Sequence, residues 1–464
     1  YWYYDRHRSV RLVILVGLAI DQIAQSGLSS LSVIYYSAQL FRWTLEKFKY
    51  LFQVSNEKNG VEPVGQMLSV SGYRGVEVKE YNDEAKKRTL EEVAEYRVVR
   101  KGQLVVNTMW LNYSGLGVSD YEGYVSPAYR AYRFTKNVNK KYIHYLLRSN
   151  PYVMAYTSQM QGIRPNSLQI KTDDFQSLPV LLPSVVEQEC IAKFLDYELD
   201  KIDLLIDKQV RLIELLKEKR QAVISDVVRR GLNHRVKLKV SGNEWLGEVP
   251  EHWGVSQIGW LCKVGNGSTP NRDNQSYWLS GDYPWLNSSK VNDDIVTNAE
   301  QFVTSKALLE CSLPLVKKGS VIIAITGEGK TRGTSALLMM DATINQHIAY
   351  MTPLSKNKIL PEYLHLWLQS KYDQIRFESS GGGSTKAAIT CSDVKKYIIP
   401  LPPLNEQKVI VADVEEKKRC FNTLVMHCEQ QISLLKERRS ALISAAVTGK
   451  IDVRNWQPAA KDAA

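Results

Sequence analysis

The sequence predicts an α+β fold: two mixed α/β globular domains separated by two long helices that form an antiparallel coiled coil, the whole arranged as a pseudo-twofold internal repeat. Three observations predict it. Residues 182–228 recur without a gap as residues 401–447: Glu187-Gln188 falls on Glu406-Gln407, and Leu215-Leu216-Lys217-Glu218 falls on Leu434-Leu435-Lys436-Glu437 at the same offset of 219. A repeat this long dictates architecture. Within the first copy, apolar positions alternate by four and three residues, which is the spacing of a coiled-coil seam. The globular parts also repeat, since Trp43, Leu45, Phe48, Tyr50, Leu51 and Val54 fall on Trp253, Val255, Ile258, Trp260, Leu261 and Val264.

The seam of the first helix runs through Leu195, Leu199, Ile202, Ile206, Gln209, Ile213, Leu216, Arg220, Val223 and Val227. Its counterpart runs through Val414, Lys418, Phe421, Val425, Cys428, Ile432, Leu435, Arg439, Leu442 and Ala446. Each helix is expected to be about 40 residues, or roughly 60 Å long. Neither can bury such a stripe alone, so each is the other's partner by knobs-into-holes packing. A whole globular segment lies between them, which lets the second return antiparallel to the first. Arg220 and Arg439 interrupt the seam at equivalent places; a polar seam residue fixes alignment, and contact with a partner subunit is the alternative.

In chain order, residues 1–42 are a divergent lead and 43–184 the first domain. Residues 185–232 are the central helix, 233–252 a polar, turn-rich linker, and 253–402 the second domain. Residues 403–448 are the distal helix. The tail, 449–464, lacks apolar periodicity and is expected to pack loosely. The first domain reads as strands over 98–106, a Gly- and Tyr-rich loop over 107–124, a strand over 128–134 and an amphipathic helix over 139–149. The second keeps the same order: strands over 315–323, a Gly-rich loop over 327–334, apolar strands through Tyr350 and a helix over 361–370.

A length of 464 residues accommodates about three domains, and 44% hydrophobic content supports real cores rather than disorder. Lys and Arg exceed Asp and Glu by 60 to 49, a formal charge of +11 that favours a polyanionic partner. The six cysteines contain no CxxC pair, so neither a zinc site nor a disulfide framework is indicated and a reducing cytoplasm fits best. The one membrane-like run, residues 10–20, carries Arg11 and is too short to span a bilayer.

Several motifs bear on catalysis. The segment AITGEGKT, residues 324–331, approximates a phosphate-binding loop, but such a loop must open a helix, and residues 331–347 read as turn and strand. Glu328-Gly329-Lys330 has the ExK form of many nucleases without a preceding Pro-Asp. Asn150-Pro151-Tyr152 approximates the NPPY loop of adenine methyltransferases, without a Gly-rich turn for a methyl donor. His347 stands alone, with packing its commoner fate and DNA contact the next. No catalytic residues and no metal ligands are assigned.

Two loop systems are rich in side chains suited to bases and phosphates. The first holds Asn107, Trp110, Asn112, Tyr113, Ser114, Tyr121, Tyr124, Arg130 and Arg164. The second holds Asn266, Ser268, Thr269, Asn271, Arg272, Trp278, Asn287, Lys290, Lys330, Thr331, Arg332, Gln346, Ser384, Thr385 and Lys386. Asn and Gln pair with adenine and Arg or Lys with guanine, while aromatic rings wedge. A solvated surface role is the ordinary alternative for each.

With these features assembled, the chain resembles the specificity subunits of type I restriction-modification systems over residues 43–452. The marks are the doubled Leu-Pro-x-x-x-Glu-Gln (182–188 and 401–407), the doubled LLKE[KR]R, SGNEWLGEVPEHW (241–253) and GYVSPAY (123–129). The resemblance implies two target-recognition domains, each reading half of a split site in double-stranded DNA, with the helices as a ruler. It implies no catalysis and no bound cofactor in this chain. Two modification subunits that methylate adenine with S-adenosylmethionine are the implied partners, and a restriction subunit is a further one. The runner-up is a non-catalytic coiled-coil scaffold or adaptor that does not read duplex DNA.

Overall fold

The computed structural model describes residues 30–81, 89–162, 168–244, 246–327, 329–355, 357–380 and 388–458. The membrane-like run at 10–20 lies outside them. The chain divides into two compact units: residues 1–210 with 430–464, and residues 211–429. The main helices are α1 (Ser30–Phe41), α2 (Lys140–Arg148), α3 (Asn150–Gln159), α4 (Val185–Arg230), α5 (Pro361–Ser370) and α6 (Leu404–Val447). The two long ones, α4 and α6, have 46 and 44 residues, and each contributes to both units.

In the first unit a four-stranded sheet holds β1 (Phe52–Ser55), β2 (Leu104–Asn107), β3 (Leu116–Val118) and β4 (Tyr129–Phe134), in the order β1-β4-β2-β3. Residues 98–106, read as one strand region, are broken at Gly102, whose φ of 81° makes the turn into β2. The second unit holds β5 (Cys262–Asn266), β6 (Tyr283–Leu286), β7 (Ile295–Val296), β8 (Ser320–Ala324), β9 (Ser335–Leu338), β10 (Thr343–Ile344) and β11 (Ile348–Pro353). Its five-stranded sheet runs β5-β11-β8-β9-β7. The first four positions reproduce the order of the first unit, so the internal repeat extends to sheet topology. A short antiparallel pair closes each domain onto its helix, Thr44–Lys47 with Pro179–Leu182 and Gly254–Gln257 with Ile398–Leu401.

Within the first unit, Leu195, Leu199, Ile202 and Ile206 of α4 share a core with Ile443, Ala446 and Val447 of α6, and Ile432, Leu435 and Leu442 pack against it. The early part of α4 therefore meets the late part of α6, an antiparallel pairing. In the second unit the late part of α4 (Ile224, Val227, Val228) shares a core with Ile410 and Val414 of α6. Ile213, Leu216, Val223, Phe421 and Val425 are half-buried. Both seam arginines bond across the pairing. Arg439 Nε donates to Asp203 Oδ1 at 3.2 Å, and Arg220 Nη1 donates to Asn422 Oδ1 at 2.8 Å. Asp203 and Asn422 occupy equivalent places in the two copies, so the two bonds repeat with the same offset as the helices. Where the first copy has the buried Leu199, Lys418 instead turns to Gln369 Oε1 at 2.9 Å.

The doubled Glu-Gln is explained by what it holds. Gln188 accepts from Asn139 N at 2.9 Å and donates to Pro183 O at 2.9 Å. Gln407 accepts from Leu360 N at 2.8 Å and donates to Lys358 O and Pro402 O. Each glutamine ties the start of a long helix to the entrance of its domain's own helix. Glu187 and Glu406 accept from the indole N–H of Trp43 and Trp253.

Three peripheral segments are more structured than their composition suggests. Residue 30 onward of the lead forms α1, which buries Ile34 and Ala38 in the first core. Residues 233–252, expected as a linker, pair Leu238–Val240 with Glu248–Pro250 and bury Leu246 and Val249. The tail does not pack loosely as far as residue 458: Val453 is buried, and Trp456 packs edge-on against Phe194 and Tyr197. Single large side chains anchor it, which periodicity cannot reveal. Gly449 ends α6 at a φ of 77°, and a Cβ there would lie 2.5 Å from the Phe41 ring.

Candidate nucleic-acid interface

Strand register decides which loops meet. In the first unit Ser55 pairs with Ala131 and Asn107 with Tyr129, so the ends of β1 and β2 and the start of β4 lie together. In the second unit Asn266 pairs with Ala349 and Ala324 with Ile348. The loops 267–274, 325–334 and 345–347 therefore cluster at the corresponding end of that sheet.

In the first unit Trp110 and Tyr113 project from the loop between β2 and β3. They are 56% and 59% exposed, with ring centroids 5.6 Å apart. The loop is held rigidly, because Arg148 of α2 donates to Ser114 O at 2.9 Å, to Leu116 O and to Gly72 O at 2.8 Å. Ser114 adopts a φ of 56°. The equivalent loop of the second unit is held the same way, by Arg376 Nη1 donating to Gly329 O at 2.6 Å and Arg332 O at 3.1 Å.

The remaining first-unit residues take varied roles. Asn107 is buried and its side chain accepts from Met109 N at 3.2 Å, which makes it a turn-former. Asn112 is half-buried. Arg130 donates to Thr172 Oγ1 at 2.9 Å. Tyr121 is exposed, whereas Tyr124 is half-buried against Tyr96. Arg164 lies outside the described residues.

In the second unit Thr269 Oγ1 donates to Gln346 Oε1, Gln346 Nε2 meets His347 Nε2 at 3.1 Å, and His347 Nδ1 meets Thr326 Oγ1 at 2.7 Å. This chain of polar groups joins all three loops. Gly267 permits it, since a Cβ there would lie 1.7 Å from Ile344 O. Ser268 bonds through its backbone to Ile344 O and to the Trp285 indole. Asn266, Asn271, Arg272 and Lys330 are exposed, and Trp278 and Thr331 are half-buried.

Three side chains expected on this surface are engaged elsewhere. Arg332 is 3% exposed and donates to Ser380 Oγ at 2.8 Å, so it is a structural group. Lys290 is bound by Asp293 and Glu300, both at 3.1 Å, and its charge is neutralised locally. Asn287 caps the succeeding turn by accepting from Ser289 N. Ser384, Thr385 and Lys386 lie outside the described residues, as does Glu328 of the ExK motif. Sequence reasoning passed over Thr326, Gln301 and Trp285, which build the surface from strands distant in the chain; no local signal marks them.

The motifs considered for catalysis take structural forms. Residues after Lys330 lead into strand β9, with no helix opening there. Asn150-Pro151-Tyr152 begins α3, and the Tyr152 hydroxyl is buried, donating to Pro179 O at 3.0 Å.

Two sheets of one topology, each presenting a polar or aromatic loop cluster at the same end, define a duplicated two-domain architecture. Residues 250–432 match the family described as the type I restriction modification DNA specificity domain. The chain is 27% identical over 195 residues to the type I restriction enzyme MjaIX specificity subunit of Methanocaldococcus jannaschii, covering 41% of this chain and 43% of that protein. It is 22% identical over 326 residues to the EcoBI specificity subunit of Escherichia coli, covering 69% and 67%. The first of these matches thus spans less than half of the relative's own length. Among solved structures, the fold is shared with a chain from a study of type I R-M complex assembly and conformational transition, at TM-score 0.64, 16% identity and coverage of 88% and 98%. It is also shared with the HsdS subunit of Thermoanaerobacter tengcongensis, at TM-score 0.50, 17% identity and coverage of 88% and 97%.

Proposed function

We propose that the chain is the sequence-specific DNA-binding subunit of a type I restriction-modification complex. It reads an asymmetric target in two parts, one per unit, and scaffolds the subunits that methylate adenine. One observation carries this reading: the same sheet order is used twice, with unlike side chains in the loops at the same end of the sheet. The first cluster is aromatic, with Trp110 and Tyr113; the second is amide, imidazole and guanidinium, with Gln346, His347 and Arg272. Unlike chemistry on a shared frame suits two different short sequences, because base edges in the major groove differ in donors, acceptors and methyl groups.

The net charge of +11 supports a polyanionic partner, with affinity that falls steeply as salt rises. Methyl transfer from S-adenosylmethionine belongs to two modification subunits, and translocation and cleavage to a restriction subunit. The complex acts in the cytoplasm; among the described residues no helix is long and apolar enough to cross a membrane.

Modified-base sequencing of cells with and without the chain tests the reading. A two-part, non-palindromic methylated motif that disappears with the chain is expected. Exchanging the second unit's loops should alter one part only. If the assembled complex bound no duplex even at low salt, the non-catalytic scaffold would be the better account.

A further inference from the structure

The basic side chains of the second unit are not equivalent. Lys290 is neutralised by two carboxylates and Arg332 is buried. Arg272 is exposed and is held by uncharged groups only. Its guanidinium carbon lies 4.0 Å from the Trp278 ring centroid and 4.7 Å from that of Trp285, and the two indoles meet edge to face at 84°. Nη2 donates to Gln301 Oε1 at 2.9 Å. Gln301 is the strand partner of Trp285, so acceptor and shelf are fixed to one another.

The loop that carries Arg272 is itself pinned. Trp285 Nε1 donates to Ser268 O at 3.1 Å, Trp278 Nε1 donates to Asn271 O at 3.0 Å, and Ser268 N donates to Ile344 O at 3.1 Å. Both tryptophans thus support the loop by their N–H groups and the guanidinium by their faces. Gln301 occupies one of the five N–H donors of an arginine fork. Among the described residues, no carboxylate lies within ion-pair distance of Arg272. A planar fork that is stacked, oriented and uncompensated loses little conformational freedom on meeting a planar acceptor pair.

We propose that Arg272 is a specificity-determining residue that reads a guanine, through its O6 and N7 acceptors, in the part of the target assigned to the second unit. This rests on the proposed function, and the test separates the two. The full chain is expressed with its modification subunits as wild type, Arg272→Ala or Arg272→Gln, and the methylated motif is determined by modified-base sequencing. Arg272→Ala is expected to make one G·C position in one part of the motif degenerate while the other part stays unchanged. Replacing that guanine by 7-deazaguanine, which removes the N7 acceptor and keeps O6, should weaken wild-type binding roughly 2- to 12-fold, the worth of one hydrogen bond. The same replacement should leave Arg272→Ala unaffected. If Arg272→Ala fails to accumulate, Arg272→Gln, whose planar end can lie on the same indoles, reports on the same position.

A wild type that yields no motif defeats the proposed function. A wild-type motif that persists unaltered in the variant, or that holds no guanine in the affected part, defeats this inference alone. So does a loss of affinity uniform across sequences with a salt slope smaller by about 1, which marks a phosphate contact.

Discussion

Gln407 is fully buried and makes three hydrogen bonds to backbone: it accepts from Leu360 N and donates to Lys358 O and Pro402 O, all within 3.0 Å. Gln407→Leu preserves the approximate volume and removes all three. A typical intramolecular hydrogen bond contributes about 1 kcal/mol, and a buried backbone group left without a partner costs about 1–3 kcal/mol. Leu360 is the residue before the first turn of α5, so its N–H has no helical alternative close by. With partial relaxation, the loss should be about 3–5 kcal/mol, a large share of the roughly 5–15 kcal/mol that holds a domain folded. Urea unfolding followed by tryptophan fluorescence measures it, with Trp253 and Trp367 both buried in the same core. Gln188→Leu, with two such bonds, should cost less. A Gln407→Leu loss below about 0.5 kcal/mol, or a larger loss for Gln188→Leu, would refute the view that the doubled Glu-Gln is a clamp.

Arg439→Met should destabilise more than Arg220→Met in urea melts, because Arg439 meets a carboxylate and lies 4.6 Å over the Tyr73 ring, whereas Arg220 bonds the uncharged Asn422 amide and, among the described residues, no carboxylate. Gly267→Ala should lower duplex affinity of the assembled complex by about tenfold or more, since the new Cβ displaces a loop against Ile344 O. Gly329→Ala, with nothing within 4 Å, is the neutral control. Burial, with the Arg148 charge beside it, holds the His144 imidazole down to about 3. A base depressed in the fold is protonated first in the unfolded chain. Stability is therefore lost as pH falls from about 6.5 towards 3, by about 1–2 kcal/mol between pH 7 and 5. His144→Gln should flatten that slope in urea titrations at the two pH values, and an unchanged slope would place its origin elsewhere.

The long rods, their duplication and their antiparallel return are properties of linear pattern. Spacing by four and three residues and a constant offset of 219 between Glu187 and Glu406 are visible without coordinates, because a helical stripe is set by near neighbours. The entrance motif was visible as well, although its purpose was not, since Gln188 and Gln407 act on backbone groups 49 and 47 residues away. Which polar side chains remain exposed and uncompensated was decided only by tertiary structure. Lys290, Arg332 and Arg272 look alike in the chain, yet Glu300, Ser380 and Gln301 give them three different fates. A side chain's charge and reach are written in its own residue type; whether that charge is neutralised, buried or held ready depends on partners that folding brings from other strands.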